Sequence, residues 1–307
     1  MQNPPSTVVV LGTGGTIAGT AGDALDNVGY TAGQVAVAQL LAAVPAVGDI
    51  EAEQVAQLDS KDMTHAVWRE LALRCAHHLT RPDVAGVVVT HGTDTLEETA
   101  WFLQRVLAPG KPVVLTGAMR PATALQSDGP QNLLDAVTVA RTAGARGVLA
   151  VLSGQIHGAR ELRKAHPYRV DAFDSGDAGP IGWVEEGRLR RQRDWPAGDA
   201  IGVDRLPQDA LAWPVVEIVT SHAGARAATV RALCDAGAQG LVIAATGNGT
   251  VHRELEAALL QAQARGVRVL RSTRTRAGRV IDAGDGLPAA DDLTPEKARV
   301  ELMLSML

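Results

Sequence analysis

The sequence predicts an α/β protein with a larger N-terminal domain, in which helices flank a mostly parallel sheet, and a smaller C-terminal α/β domain. Short apolar runs alternate with helical patterns from one end of the chain to the other. Such runs are typical of strands that are buried on both faces of a parallel sheet. The length of 307 residues also corresponds to about two domains of roughly 150 residues each.

Four uninterrupted apolar runs predict the strands of the N-terminal domain. They are Thr7–Leu11, Val84–Thr90, Pro112–Thr116 and Gly147–Leu152. Each is bounded by turn residues, as a buried strand is. Helical patterns between the runs supply the right-handed crossovers that parallel strands require.

Two helix starts in this domain are predicted from local signals. Thr95 and Glu98 have the spacing of a capping box, in which two side chains bond to backbone amides at the start of a helix. Pro130 stands where a first-turn proline belongs, ahead of a periodic apolar pattern that includes Leu133 and Val137.

A change of composition predicts the domain boundary. The chain becomes charged, proline-punctuated and aperiodic after Glu185. We therefore predict an N-terminal domain over residues 1–187, a linker over 188–213 with Trp195 and Trp213 as candidate anchors, and a C-terminal domain over 214–307. The predicted C-terminal elements are strands Val215–Val219, Gly240–Ala245 and Val267–Leu270 and helices near Arg226–Ala236, near His252–Arg265 and after Thr294.

Composition and charge exclude several classes of function. A net charge of −5 provides no basic surface for nucleic acid or anionic lipid. No apolar run approaches the ~20 residues of a membrane span, and the N-terminus has no basic, apolar signal sequence. Two cysteines, Cys75 and Cys234, are both expected to be buried thiols and fit a reducing compartment. We therefore expect a cytoplasmic protein with neither nucleic acid nor membrane as a partner.

The turn after the first strand reads Gly12-Thr13-Gly14-Gly15-Thr16-Ile17-Ala18-Gly19-Thr20. A dinucleotide fingerprint needs a small residue where Ile17 stands, and a phosphate-binding loop needs a lysine where Thr20 stands. Thr16 instead places a hydroxyl where backbone amides converge. The stretch Gly19–Gly29 is rich in Gly, Ala and Asp, which suits a mobile lid.

The turn after the second predicted strand reads Thr90-His91-Gly92-Thr93-Asp94-Thr95. If Thr95 caps the helix, Thr93 and Asp94 have no structural duty, and a hydroxyl beside a carboxylate at a strand end is a catalytic candidate. His91 is expected to orient the turn, because the histidines show no metal-ligand spacing. Ligands bind at the carboxyl ends of parallel strands, so we expect both turns to share one site.

These two turns together resemble the signature segments of the bacterial-type L-asparaginases, in the asparaginase/glutaminase family. The resemblance continues in order along nearly the whole chain. It includes Asp59-Ser60-Lys61-Asp62-Met63, Gly117-Ala118-Met119-Arg120-Pro121, Ser127-Asp128-Gly129-Pro130, Lys164, Gly247-Asn248-Gly249 and Pro295-Glu296-Lys297-Ala298-Arg299-Val300.

The resemblance implies two threonine centres. Thr16 matches a nucleophile carried by the lid and supported by Tyr30, and Thr93 matches a second hydroxyl on which Lys164 acts, beside Asp94. Ser60 matches a ligand of the substrate's α-carboxylate, Asp94 a ligand of its α-ammonium group, and Ala118 a carbonyl that contacts the side-chain amide. The substrate-binding positions implied are Gly15, Ser60, Lys61, Gly92, Thr93, Asp94, Ala118, Asn248 and Asp285.

Three departures from the family's usual pattern bear on the site. Lys61 stands where a neutral glutamine is common, and Thr250 stands where an asparagine often reaches a neighbouring subunit's site. The segment Gly278–Leu293 is shorter than usual. An acidic residue from that segment is expected at the substrate ammonium group across a subunit interface, and Asp282 and Asp285 both qualify.

The activity implied by the resemblance is hydrolysis of L-asparagine to L-aspartate and ammonia by a threonine nucleophile, with no metal or organic cofactor. A closed homo-oligomer is also implied, most simply a tetramer formed as a dimer of dimers. Alternatives are a glutaminase-asparaginase of broader specificity, a non-catalytic amino-acid sensor and an amidotransferase subunit. Which threonine attacks first, and whether water attacks the amide directly, stay open.

Overall fold

The computed structural model describes residues 6–45, 48–282, 284 and 286–307. The chain divides into two compact units, Met1–Asp204 and Arg205–Leu307. Each unit contains its own sheet with parallel strands and flanking helices. This arrangement confirms the predicted fold class, and the division falls inside the predicted linker.

An eight-stranded sheet forms the centre of the first unit, in the order β10-β9-β6-β5-β4-β3-β1-β2. Strands β1 to β5 are parallel, and β6, β9 and β10 extend the sheet in antiparallel fashion. Strands β7 and β8 form a separate antiparallel ribbon. The strands are β1 (Thr7–Gly14), β2 (Ile50–Leu58), β3 (Val84–Thr90), β4 (Pro112–Thr116), β5 (Gly147–Leu152), β6 (Gln155–Gly158), β7 (Arg163–Lys164), β8 (Phe173–Asp174), β9 (Gly182–Glu185) and β10 (Arg188–Arg191).

Four α-helices pack on this sheet: α1 (Val37–Ala42), α2 (His65–Leu79), α3 (Leu96–Leu107) and α4 (Gly129–Arg141). Alternate residues of the inner strands meet α4 in one apolar cluster, which is fully removed from solvent at its centre. Since an apolar strand residue on either face is buried, these strands carry continuous apolar runs. All four strands that were predicted in this domain are present, with β1 extended to Gly14.

The strand β2 was not predicted, because its sequence contains no continuous apolar run. Among the described residues it pairs with β1 alone, and it forms an edge of the sheet. Several of its side chains are exposed. An edge strand with one wet face does not need the continuous apolar run that identifies its neighbours.

The start of the predicted linker was wrong, because Arg188–Arg191 form β10. A two-residue loop, Glu186-Gly187, joins β9 to β10, and both residues have positive φ (49° and 68°), as in the tight hairpin turns that match strand twist. Arg190 donates two hydrogen bonds to Glu185 (2.7 and 2.9 Å) and lies over the Trp183 ring. These cross-strand contacts order a segment whose composition is that of a loop.

The second unit contains a three-stranded parallel sheet in the order β11-β12-β13. Leu241, Ile243 and Leu259 lie at the centre of its apolar cluster. All six elements predicted in this domain are present. They are β11 (Val216–Thr220), α5 (Ala227–Asp235), β12 (Gly240–Ala245), α6 (Arg253–Ala264), β13 (Arg268–Thr273) and α7 (Pro295–Leu304).

Several expectations about single residues can be compared with this fold. Cys75 in α2 is buried as predicted, whereas Cys234 in α5 is partly exposed, so the prediction for Cys234 was wrong. Trp195 and Trp213 are both buried. None of the helices within the described ranges is long and apolar enough to span a membrane.

Candidate active site

The two turns that were expected to share a site line one cavity at the carboxyl ends of β1 and β3. Its volume is about 230 Å³, below the ~300–1,000 Å³ of drug-sized pockets, so it suits a small ligand. The lining residues are Thr16, Asn27, Val28, Tyr30, Thr93, Asp94, Met119, Lys164, Pro167 and Tyr168.

Glycines allow the turns to approach one another. Gly15 has a φ of +81°, and a Cβ placed on it would lie 2.3 Å from both the Cα and the N of Gly92. A Cβ on Gly92 would lie 2.5 Å from Ser60 Oγ. Any side chain at Gly15 or Gly92 would therefore push apart the loops that carry Thr16, Ser60 and Thr93.

Hydrogen bonds attach the first turn to both neighbouring strands. The Gly15 N–H donates to the Leu58 carbonyl of β2 (2.8 Å), and Thr13 Oγ1 donates to the Thr90 carbonyl of β3 (2.9 Å). The pairing of β1 with β2 shifts register between Gly12 and Gly14. Such an irregularity redirects the chain, and here it precedes the turn that carries Thr16.

Thr16 and Tyr30 form the first hydroxyl centre. Thr16 is 7% exposed and its Oγ1 lies 2.7 Å from the Tyr30 hydroxyl. A bridge between Thr20 and Thr31 and a bond from the Gly33 N–H to the Gly15 carbonyl (3.0 Å) close the intervening lid back onto the first turn. The lid therefore delivers the phenol to a hydroxyl fourteen residues earlier.

Thr93, Asp94 and Lys164 form the second centre. Lys164 Nζ donates to Thr93 Oγ1 (2.9 Å) and to Asp94 Oδ1 (2.6 Å). The Lys164 side chain is 18% exposed, while that of Asp94 is 54% exposed. Pairing of Lys164 with Phe173 in the β7–β8 ribbon fixes the backbone from which Nζ reaches across to the turn after β3.

Ser60 joins its own loop to the turn after β3. Its Oγ accepts a hydrogen bond from the Asp94 N–H (3.2 Å), and its carbonyl accepts one from Thr95 Oγ1 (2.8 Å). The predicted cap at Thr95 was therefore wrong: Thr95 is the N-cap residue by position but makes no side-chain capping bond. The Thr95 hydroxyl donates instead to the Ser60 carbonyl in the neighbouring loop.

Lys61 is not among the side chains that line the cavity. Its Nζ pairs with the Asp62 and Asp59 carboxylates, and its side chain is 61% exposed. The structure therefore does not bring Lys61 together with Thr16 and Thr93.

Ala118 is fully buried next to the lining residue Met119. The Asp128 carboxylate accepts hydrogen bonds from the Met119 and Arg120 N–H groups (2.9 to 3.1 Å). Asn132 of α4 donates to the Gly117 carbonyl (2.9 Å). This polar cluster fixes the path of the loop after β4. Asp128, to which the sequence analysis gave no role, therefore has a structural one.

Asn248 and Asp282 lie in the second unit and bond within it. Asn248 exchanges two hydrogen bonds with the Ile281 backbone (2.8 and 3.1 Å). The Asp282 carboxylate accepts from the N–H groups of Gly284 and Ala289, which lowers its pKa, and from Arg271 (3.1 Å). Asp285 lies outside the described residues.

His91 lies behind Thr93 and is fully buried. Burial lowers its pKa to about 4, against an opposing contribution from its bond to the Gly92 carbonyl. Its Nδ1 is 2.6 Å from that carbonyl, and its Nε2 is 2.9 Å from Thr99 Oγ1. No group of three metal-binding side chains with His91 or any other described residue is present.

Five lining residues were not predicted as site residues. Asn27 and Val28 belong to the predicted lid, so their position was foreseeable from it. Met119 belongs to the segment Gly117–Pro121 but had been given no role, and Pro167 and Tyr168 carry no motif of their own. The Arg120 guanidinium lies 4.2 Å from the Tyr168 ring centroid and donates to the Tyr168 carbonyl (2.8 Å). These contacts join the segments around Met119 and Tyr168 into one wall of the cavity.

The arrangement suits attack on a small amide. Each threonine hydroxyl has a partner that can relay or hold a proton, and a hydroxyl nucleophile needs such a partner. The exposed Asp94 carboxylate can pair with an ammonium group of a ligand in the cavity.

Known proteins match this chain over nearly its whole length. The family model described as "Asparaginase, N-terminal" matches residues 7–197, and that described as "Glutaminase/Asparaginase C-terminal domain" matches residues 215–306. The chain is 38% identical to L-asparaginase 2 of Escherichia coli, covering 97% of this chain and 88% of that protein. It is also 38% identical to a glutaminase-asparaginase of Pseudomonas aeruginosa, covering 99% and 87% respectively.

A solved structure is similar as well. The crystal structure of a probable cytoplasmic L-asparaginase from Campylobacter jejuni superposes with a TM-score of 0.93 at 37% sequence identity. The match covers 98% of this chain and 95% of that one.

Proposed function

This chain belongs to the asparaginase family, and from that premise we propose that it hydrolyses L-asparagine to L-aspartate and ammonia. One observation carries the proposal: two threonine hydroxyls, Thr16 with Tyr30 and Thr93 with Lys164, line a single cavity sized for a small ligand. An amide is a poor electrophile, so its hydrolysis needs an activated oxygen and protonation of the departing ammonia.

Thr16 is the nucleophile in this proposal. Its Oγ1 bonds to the side-chain amide carbon of asparagine while its proton passes along the 2.7 Å bond to Tyr30, whose hydroxyl gives up its own proton in exchange. That proton reaches the amide nitrogen, the carbon–nitrogen bond breaks and ammonia departs, which leaves an aspartyl ester on Thr16. Covalent catalysis divides one difficult step into two easier ones.

Thr93 and Lys164 serve the second step. A water molecule held against Thr93 Oγ1 attacks the ester carbon and releases aspartate, and the proton that it loses passes by way of Thr93 and Lys164 back to Thr16. The net reaction consumes one water for each ammonia released. The 2.9 Å bond between Lys164 Nζ and Thr93 Oγ1 supports this role, and Thr93 as the first nucleophile is the variant to be tested against it.

The substrate's charged groups are assigned to the remaining residues. Asp94 holds the α-ammonium group, because its carboxylate is 54% exposed beside the cavity. Ser60 holds the α-carboxylate through its hydroxyl, and Gly15 and Gly92 provide the close backbone approach. Ala118 offers its carbonyl to the side-chain amide.

The test is ammonia release by purified enzyme, measured for the wild type and for Thr16→Ala and Thr93→Val. Each substitution is expected to lower kcat on the order of 10²–10⁴-fold with little change in the circular dichroism spectrum. Thr142→Val, which removes a hydroxyl at the end of α4, is the control and should retain activity. Wild-type binding of asparagine without ammonia release would support an amino-acid sensor instead.

Glutaminase activity is the second candidate, because a relative of this chain is a glutaminase-asparaginase. One extra methylene changes the binding free energy by only ~1–3 kcal/mol in a pocket. Values of kcat/KM for asparagine, glutamine and D-asparagine measured side by side decide between a selective and a broad enzyme.

A homo-oligomer, most simply a dimer of dimers, is proposed from the same family resemblance, with residues 214–307 completing a neighbour's site. Asp285 is the better candidate for the residue that crosses the interface, because the Asp282 carboxylate already accepts hydrogen bonds from Arg271 of β13 and from the N–H groups of Gly284 and Ala289. Mixing Thr16→Ala subunits with Asp285→Asn subunits should restore activity if sites are shared. The same mixture made with Asp282→Asn tests the alternative.

A cytoplasmic location is proposed as well. The support is the Campylobacter jejuni protein, which is described as probably cytoplasmic. Fractionation of the native organism, with ammonia release as the assay, should find the activity with the cytosolic fraction.

A further inference from the structure

The bend that carries Pro167 and Tyr168 is closed by one imidazole nitrogen. The N–H groups of Tyr168 and Arg169 both donate to His166 Nδ1, each at 3.0 Å. In the described part of the chain, no backbone carbonyl accepts a hydrogen bond from either N–H. Backbone N–H groups that are held in a fold need acceptors, and here one side-chain atom serves two of them.

The two bonds determine which nitrogen of the His166 ring carries the proton. A backbone N–H can only donate, and a protonated ring nitrogen is a donor as well. Nδ1 must therefore be unprotonated, and the neutral ring carries its proton on Nε2. A ring that takes up a second proton carries it on Nδ1, so that the bonds to Tyr168 and Arg169 are both lost.

Hydrogen bonds rather than burial hold this bend in place. Tyr168 is 49% exposed, and both of its neighbours in sequence are exposed as well. On the carbonyl side, Arg120 donates to the Tyr168 carbonyl and Ser153 Oγ donates to the Val170 carbonyl, each at 2.8 Å. A segment with few buried apolar contacts has low local stability, so the bend depends on these bonds and on those to His166.

The bend forms part of the cavity wall. Pro167 and Tyr168 both line the cavity that contains the two hydroxyl centres. Lys164 lies two residues before His166, but pairing with Phe173 in the β7–β8 ribbon holds its backbone independently of the bend. A shift of the bend therefore changes the shape of the cavity and leaves the contact between Lys164 and Thr93 in place.

We propose that His166 is a positioning residue, which holds Pro167 and Tyr168 against the substrate while its ring is neutral and releases them when the ring is protonated. The inference rests on the proposed function, because it takes this cavity as the binding site for asparagine. Histidine side chains take up a second proton between about pH 5 and pH 8. The affinity for substrate should therefore fall as pH decreases through this range.

Other charged side chains around the bend also contribute to the effect of pH on substrate binding. They are Arg120, Lys164 with Asp94, Arg163 with Asp174, and Arg169 with Asp171. All of them are unchanged in a variant that replaces His166 alone. The ratio of KM in the wild type to KM in such a variant, measured at each pH, therefore isolates the imidazole.

Two substitutions separate the hydrogen-bond acceptor from the titration. His166→Asn places an amide oxygen close to where Nδ1 stood, and asparagine side chains commonly accept from nearby backbone N–H groups but do not titrate. His166→Phe keeps a ring and removes the acceptor. At pH 8, KM for asparagine should stay near the wild-type value in His166→Asn.

We expect His166→Phe to raise KM on the order of 5-fold at pH 8, as the loss of one or two hydrogen bonds does. Its kcat should stay within about 2-fold of the wild type, because the wall binds ground state and transition state alike.

The pH profile gives a readout that a merely structural role would not move. Between about pH 8 and pH 5, the ratio of KM in the wild type to KM in His166→Asn should rise on the order of 5-fold. Proton NMR of the His166 ring should show a titration with the same midpoint. His77→Asn changes an exposed histidine of α2, and this matched control should follow the wild type at every pH.

The outcomes separate this inference from the proposed function. Wild-type enzyme that releases no ammonia from any amide substrate overturns the proposed function and this inference with it. Active enzyme whose KM follows that of His166→Asn at every pH overturns this inference alone, and this comparison does not require His166→Phe to fold. An unchanged KM in His166→Phe at pH 8, or equal rises of KM in both variants, would overturn it as well.

Discussion

Thr16 and Thr93 carry the same hydroxyl but have different partners. Thr16 is bonded to the Tyr30 phenol, and Thr93 to Lys164 Nζ. Asp94 is bonded to Lys164 but keeps an exposed carboxylate. In the proposed mechanism the two threonines therefore take separate steps, a division that their sequence contexts alone did not suggest.

Replacing Lys164 by arginine tests whether a proton acceptor is needed. Arginine keeps the positive charge and can still donate to Thr93 and Asp94, but it does not deprotonate in proteins. We expect kcat to fall on the order of 10²–10⁴-fold while KM changes little. Steady-state kinetics with Lys111→Arg as the matched control check the result, and full activity in Lys164→Arg would contradict it.

The buried His91 makes stability depend on pH. Its pKa is lowered from 6.5 to about 4, so the unfolded chain binds more protons between these values and stability falls as pH decreases through this window. At ~1.4 kcal/mol per pKa unit, the shift corresponds to about 3 kcal/mol. Urea unfolding at pH 7 and at pH 4 measures this effect. Between these pH values the free energy of unfolding of the wild type should fall by about that much more than the free energy of unfolding of His91→Asn. Identical losses would contradict it.

At the scale of single elements, the continuous apolar strands were predictable and the edge strands were not. Val84–Thr90 is buried on both faces and matches β3 residue for residue. By contrast, Ile50–Leu58 and Arg188–Arg191 have wet faces, and their strand conformation depends on partners elsewhere in the sheet. The predicted capping bond of Thr95 was wrong for a similar reason, because the Thr95 hydroxyl donates to the carbonyl of Ser60, which is distant in sequence.

The cavity wall formed by the loops after β4 and β7 was also beyond sequence reasoning. Met119 and Tyr168 are 49 residues apart along the chain but meet through Arg120, which donates to both of their carbonyls (3.1 and 2.8 Å). A contact of this kind follows from the order of the strands, which no local pattern reveals.

The Arg120 contacts predict a role in substrate affinity. Arg120→Gln removes the contact with the Tyr168 ring and the two hydrogen bonds from Arg120 Nη1 that hold the Tyr168 and Met119 carbonyls together. We expect KM for asparagine to rise several-fold with a smaller change in kcat, because the wall binds ground state and transition state alike. Arg169→Gln changes an exposed arginine next to Tyr168 that pairs with Asp171 and serves as control. A loss confined to kcat would contradict the assignment.

At the scale of the whole molecule, the first unit by itself supplies every residue that lines the cavity. The order of motifs along the chain was enough to predict the fold class, the two sheets and the meeting of the two turns. The proposed contribution of residues 214–307 to a neighbour's site is a property of an assembly, and the mixed-subunit experiment tests it directly.

The most direct measurement is the mass of the protein itself after reaction with asparagine. If Thr16 attacks and the Thr93 centre brings in water, Thr93→Val should accumulate an aspartyl ester that acid quenching preserves. Peptide mass spectrometry should then locate the added mass on Thr16. An unmodified chain under conditions where the variant still releases ammonia, or an adduct on another residue, would contradict the account.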